Sequence, residues 1–332
     1  MRESNSYYCF LDFIRLFCAL LIVVIHMGFG NSFSIIPCLT RQGVPFFFLA
    51  SGFFLFKKLQ NSSDIKRSTI QYVKPILIVY LFWNIVWFPS ILKEYSFFYV
   101  ESPLKLFFVL LRRFFLAGIA PYWFLLVLSE GAVFLALIVH YRKYSLGLFL
   151  CIAGIMLSIL YSYQAVNNPS NLFYRIVYTV FSWDNNVIMS GFPMLFLGSQ
   201  FYRYKAHLQK APVWMILALY VISVAVAFFV FQIDKNLFFI PFGIIQAVML
   251  FFLCIIPVPF LQNLSQSVCR NARNLSSVLF LTHTVFLTIL GKVLHVWNSA
   301  LRFGITVLCA VVMYLLSKWL KNKVINTLLL LK

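Results

Sequence analysis

Within the stretch DFIRLFCALLIVVIHMGF, Asp12 to Phe29, an aspartate, an arginine and a histidine stand inside a run otherwise apolar enough to sit in lipid. Arg15 and His26 are eleven residues apart, which at about 100° per residue is three turns plus roughly 20°. On a helix the two share one face, with about 16 Å between them along the axis. Asp12 lies one turn before Arg15, at the spacing of an i,i+3 ion pair. Ionisable groups turned toward hydrocarbon are costly, so this face belongs against a protein interior or a wet cavity. Taken singly, Asp12 and Arg15 also fit an interfacial pair snorkelling from a helix start, and His26 fits an imidazole satisfied by a neighbouring helix. Their joint spacing favours one functional wall. Two more ionisable groups stand mid-run: Glu130 in LVLSEGAVF, which must pair or line a cavity, and His283 in FLTHTVF, a second buried imidazole.

The elements that position these residues follow from composition. Of 332 residues, 62% are hydrophobic and only 11% charged, against roughly 25% charged in soluble domains. The predicted fold class is all-α, a polytopic membrane helical bundle. Apolar runs of about 17 to 25 residues read as spans, and ten are placed, near 10–29, 43–56, 75–91, 121–139, 145–162, 187–202, 212–232, 237–256, 275–294 and 299–320. The 39 Phe, 17 Tyr and 7 Trp suit hydrocarbon and the headgroup layer and say nothing about chemistry.

The net charge of +19 raises the question of nucleic acid, and its distribution answers it. With both termini in the cytoplasm, KKLQNSSDIKRSTIQYVK, HYRKY, YRYKAHLQK, RNAR and KWLKNK fall on the inner face, while Glu94, Glu101, Asp184 and Asp234 fall in the opposite loops. This is the positive-inside pattern, so the basic excess is topological and no nucleic-acid role is expected. Two stretches depart from the plan. LKLFFVLLRRFFLAG, Leu104 to Gly118, would bury Arg112 and Arg113 if it spanned, and reads as an interfacial or re-entrant amphipathic helix. Gln164 to Asn186 reads as a long outer loop rich in amides and aromatics, suited to a sugar or simply packed on helix ends. The seven cysteines, with no CxxC and no histidines at ligand spacing, predict neither a disulfide framework nor a metal site, only apolar packing. The first span carries ions and no small-residue cleavage site, so it is expected to be retained. Residues 1–332 read as one transmembrane domain with no soluble domain and no internal repeat.

The sequence LDFIRLFCALLIVVIHMG resembles the first-helix signature of the acyltransferase 3 membrane proteins, an Arg followed after ten residues by His. The resemblance continues in order through RQGVPFFFLASGFFLFKK from Arg41, PYWFLLVL from Pro121, GFPMLFLG from Gly191 and SSVLFLTHTVF from Ser276. It spans nearly the whole chain. It implies about ten spans in a bacterial cytoplasmic (inner) membrane. It also implies movement of an acyl group, usually acetyl from cytoplasmic acetyl-CoA, onto a lipid-linked or surface glycan such as O-antigen, with no cofactor beyond that donor. Some members carry an extra extracytoplasmic hydrolase-like domain, and none is expected here.

What the resemblance implies for individual residues joins the geometry above. Arg15, oriented by Asp12, suits a phosphate or polar amide of the donor. His26 would be the general base for a sugar hydroxyl, with His283 the runner-up. Glu130 would orient His26 or neutralise an arginine. Ser51 and Trp123 are candidates for the oxyanion donor, with helix packing as the alternative. In IKRSTIQYVKP the family often has an Arg-rich stretch ending before Pro; here Lys74 precedes Pro75 and Gln71 stands three residues earlier, so the pattern is thinned. Lys66, Arg67 and Lys74 are expected to gather CoA phosphates or to serve topology alone. The alternative function is a glycan or small-molecule transporter or flippase of related fold, with Arg15 and His26 on its path. No matched pair of broken helices supports it.

Overall fold

A computed structural model describes residues 8–27, 35–98, 102–118, 122–181, 185–233, 241–256, 265–296 and 298–331. Among these, every regular element is helical. A chain in hydrocarbon must satisfy its backbone polar groups internally, and an α-helix does so segment by segment. The helices are α1 (Cys9–His26), α2 (Ile35–Thr40), α3 (Gly43–Gln60), α4 (Ile65–Phe98), α5 (Pro103–Arg112), α6 (Trp123–His140), α7 (Tyr144–Asn167), α8 (Leu172–Phe181), α9 (Phe192–Arg203), α10 (Lys205–Leu208), α11 (Val213–Ile233), α12 (Pro241–Ile255), α13 (Gln266–Thr288), α14 (Ser299–Leu320) and α15 (Lys323–Leu328). Wider π-helical turns follow α5 at Arg113–Ala117, precede α9 at Val187–Gly191 and follow α13 at Ile289–Val293.

Where they are described, all ten predicted spans are mainly helical. Among the described residues eight candidate spans are long and apolar enough to cross a membrane. The other two predicted spans are α12 and the π turn running into α9. The protein is a multi-pass membrane protein. Four local readings change. The basic stretch from Ile65 to Lys74 is not loop but the first turns of α4, which runs through Pro75. Pro75 and Pro89 both stand inside α4; its start is capped by Asp64, whose Oδ1 accepts from the Arg67 amide at 2.9 Å, and Ser62 and Ser68 share a 2.8 Å hydrogen bond. The second span, expected to end near 56, continues through Lys57 and Lys58 to Gln60. The long outer loop holds a helix, α8, because Phe173, Tyr174, Val177 and Phe181 recur at helical spacing and pack on Tyr161 and Met189. The charges at Glu101, Asp184 and Asp234 lie outside the described residues. Finally, Cys9 and Cys269 form a disulfide with their Cα atoms 5.2 Å apart, where no framework was expected. The residues are 260 apart in sequence, so no local pattern announces the pairing.

The chain divides into two compact units, Met1–Phe47 with Arg203–Lys332 and Phe48–Tyr202. In the first, α1 lies along α13, α13 packs on α14, and α11 packs on α12 with α2 against both. In the second, α4 packs on α6, and α6 and α7 both hold the π turn that leads into α9. This turn is capped by Asn186, whose Oδ1 accepts from the amides of Ile188 and Met189 at 3.0 Å each. Helix α9 buries Phe192, Pro193, Met194, Leu195, Phe196, Gly198 and Ser199. Gly52 of α3 meets the Leu195 carbonyl and Gly198 of α9 meets the Leu49 carbonyl so closely that a Cβ on either glycine would lie 2.0 Å from the oxygen. Reciprocal glycines let two backbones touch where side chains would hold them apart.

Candidate functional site

The contact between α1 and α13 brings the ionisable residues of the first unit into one seam. The disulfide joins the two helices near their N-termini, Asp12 meets Arg273 a turn later, and His26 meets His283 at the far end, so the helices run in the same direction. Each carries an arginine followed by a histidine at nearly the same interval: Arg15 to His26 is eleven residues and Arg273 to His283 is ten, about 16 and 15 Å of helix.

At the near end Asp12 is 4% exposed. Its Oδ1 lies 3.6 Å from Arg15 Nη1 and its Oδ2 lies 4.0 Å from Arg273 Nη1. The i,i+3 pair read from sequence is therefore present, and Asp12 stands between two guanidiniums rather than one. A carboxylate buried this far needs such partners, because desolvating it unpaired is prohibitive. Arg273 was read as part of the polar RNAR turn. Its role in the seam depends on α13 beginning at Gln266, two turns before it, which hydropathy does not mark.

At the far end the rings of His26 and His283 lie with centroids 5.1 Å apart, tilted by 42°. His26 is the last residue of α1 and is exposed. His283 is 3% exposed. Its Nδ1 lies 2.9 Å from the carbonyl oxygens of both Leu279 and Phe280. Carbonyls only accept, so Nδ1 carries the proton and donates, and Nε2 is left as a bare acceptor. Nε2 is buried and meets no hydrogen-bond donor among the described residues. Phe47 and Phe280 form the apolar rim beside it, at 5.6 Å from each other and with Phe280 at 6.4 Å from the His283 ring. One turn on, Arg302 of α14 donates through Nη2 to the Leu287 carbonyl at 3.2 Å, lying over Gly291 of the π turn. A π turn frees a carbonyl from its regular partner, and the guanidinium takes it. Sequence reading passed over Arg302 because it stands at the edge of the last span, where a cation needs no explanation.

The remaining candidates belong to the second unit. Glu130 is half-buried on α6, and its Oε2 is buried without a hydrogen-bond donor among the described residues. Trp123 packs between aromatic neighbours, 6.3 Å from Phe48 and 6.3 Å from Phe124. Ser51 is half-buried on α3, one residue before Gly52. Lys66, Arg67 and Lys74 are exposed on the first turns of α4. None of these three lines the open cleft of about 590 Å³ where α3 turns into α4; that cleft is walled by Lys57, Lys58, Asn61, Ser62, Ser63 and Ser68 over Phe54. Gln71, which thins the expected basic pattern, accepts from Lys58 Nζ at 3.4 Å. Among the described residues no cluster of His, Cys, Asp and Glu is placed to hold a metal ion.

Chemically, the seam offers two permanent cations with planar donors around one carboxylate at one end. At the other it offers an exposed imidazole beside a second whose tautomer is fixed. Compared with known proteins, the chain matches one family model, described as an acyltransferase domain and designated acyltransferase 3, over residues 9–320. No curated protein and no solved structure matches it.

Proposed function

The chain belongs to the acyltransferase 3 family, and from that premise we propose that this membrane acyltransferase moves an acetyl group from cytoplasmic acetyl-CoA to a hydroxyl of a lipid-linked or surface polysaccharide such as O-antigen, in a bacterial inner membrane. The observation that carries the reading is the α1–α13 seam, with Arg15 and Arg273 around Asp12 at one end and the His26–His283 pair at the other. Guanidiniums suit a donor rich in phosphate and amide oxygens. An imidazole about 16 Å deeper stands where an extended pantetheine arm would present its thioester.

In this reading His26 is the general base. It takes the proton of the acceptor hydroxyl as the oxygen attacks the thioester carbonyl; the new C–O bond forms, the C–S bond breaks, and the proton passes from the imidazolium to the departing thiolate. Asp12 holds Arg15 in place for the donor. Lys66, Arg67 and Lys74, exposed on the first turns of α4, take the CoA phosphates, the guanidinium as a planar fork of donors and the ammonium groups as point charges. The test is transfer of radiolabelled acetyl from acetyl-CoA into glycan by isolated membranes, with and without the gene. Label appearing in glycan as alkali-labile ester, dependent on the gene, supports the reading. Absence of any gene-dependent acetyl ester, from the label or from the mass of the surface glycan, rejects it.

A further inference from the structure

We infer that His283 is the positioning residue for His26: its bare Nε2 accepts a hydrogen bond from the His26 ring, holding that imidazole in the tautomer and orientation that proton abstraction needs. The inference rests on the acyl-transfer reading and deepens it.

Three observations meet here. The first is the fixed tautomer of His283. With Nδ1–H committed to the carbonyls of Leu279 and Phe280 at 2.9 Å, the ring turns only its lone pair away from its own helix. The second is the unmet Nε2, buried and without a donor among the described residues. A buried acceptor left bare costs free energy in every turnover state, and such a group calls for a donor. The third is the neighbour. A centroid separation of 5.1 Å is about that of two imidazoles bonded N–H···N edge to edge, where a nitrogen–nitrogen distance of about 2.9 Å adds to two ring radii. The rings are tilted by 42°, and His26, the exposed final residue of α1, has the freedom to rotate its ring into line.

The consequence for the chemistry is specific. A base whose second nitrogen is unpartnered reacts from either tautomer and in many orientations. One that donates its second N–H to a fixed acceptor presents a single lone pair to the hydroxyl, and the same bond steadies the imidazolium formed when the proton arrives. In the familiar triads a carboxylate performs this service. Here a neutral imidazole, itself oriented by main-chain carbonyls, performs it with no second charge to desolvate inside the membrane.

Two isosteres separate this role from the others open to His283. Glutamine places a carbonyl oxygen near the Nε2 position and so keeps an acceptor for His26. Asparagine places an amide N–H near the Nδ1 position and so keeps the bonds to Leu279 and Phe280, with nothing reaching His26. Acetyl transfer from labelled acetyl-CoA into the membranes' own glycan is measured for wild type, His283→Gln, His283→Asn and His283→Ala, each matched for amount in the membrane. His283→Gln is expected to retain kcat within about fivefold of wild type. His283→Asn and His283→Ala are expected to lose about 100-fold in kcat, as a misplaced catalytic group does, with KM for acetyl-CoA unchanged. If Asn rescues as well as Gln or better, the carbonyl bonds are what matter, and the inference is overturned in favour of helix packing. If Gln is as inactive as Ala and both equal His26→Ala, His283 itself moves the proton, which also overturns it. Wild-type membranes that transfer no acetyl would instead reject the acyl-transfer reading on which the inference rests.

Discussion

His26 and Arg15 divide the proposed reaction between them, and that division is measurable. His26→Ala removes the base and leaves the helix, so transfer should fall by about 10² to 10⁴ while the protein reaches the membrane at its normal level. Retained wild-type turnover in His26→Ala would take the base role from it. Arg15→Ala removes one guanidinium and leaves Asp12 with Arg273, so KM for acetyl-CoA should rise by about tenfold, the weight of one charge-assisted hydrogen bond, with acceptor dependence unchanged. Unaltered donor dependence would make Arg15 a packing residue. Asp12, Arg15 and His26 were legible from spacing alone, because a helix converts intervals of three and eleven residues into shared faces. Arg273 and the disulfide were not, since each acquires its partner only when residues some 260 positions apart in the chain come together. His283 was visible as an ionisable group in an apolar run. Its fixed tautomer became visible only with the backbone carbonyls around it.

At the scale of elements, the ten apolar runs were readable because lipid imposes a length and a composition that few other contexts require. Helix boundaries were less so. α8 is a ten-residue apolar helix too short to read as a span, set inside a stretch rich in amides, and α4 runs through Pro75, where tertiary packing outweighs the local signal. The reciprocal glycine contact between α3 and α9 was hidden for the same reason, since hydropathy does not distinguish a glycine under a carbonyl from one facing lipid. It yields a prediction about stability. Gly198→Ala puts a Cβ 2.0 Å from the Leu49 oxygen, an overpacking that should cost about 1 to 3 kcal/mol and lower the melting temperature in detergent by several degrees. Gly304→Ala, on α14 with nothing within 4 Å of the new Cβ, should be neutral or slightly stabilising by helix propensity. Equal melting temperatures for the two variants would mean that α3 and α9 do not approach this closely.

For the whole molecule the proposed reaction turns on sidedness, because it brings a cytoplasmic donor to the base from one side and the glycan from the other. Ser63, in the α3–α4 turn, and Asn168, just after α7, are both exposed. Single cysteines there, with the native ones removed, should react with a membrane-impermeant thiol reagent in intact cells only at Asn168. Labelling at Ser63 and not at Asn168 would invert the two-sided mechanism and leave the transporter as the better reading.

The bond between Cys9 and Cys269 adds an internal reporter of the same property. On the proposed topology those residues lie at the inner end of their helices, in a compartment whose thiol buffers keep cysteines reduced. In the living cell the pair should therefore be two thiols, closing to a disulfide only once the membrane is opened to air. Cells quenched in acid, denatured and treated with a mass tag for thiols should carry seven tags per chain, one for each cysteine. Five tags, the number of cysteines outside the bridge, would mean that this end of the molecule meets an oxidising milieu. The unaltered chain would then have recorded which way it was inserted.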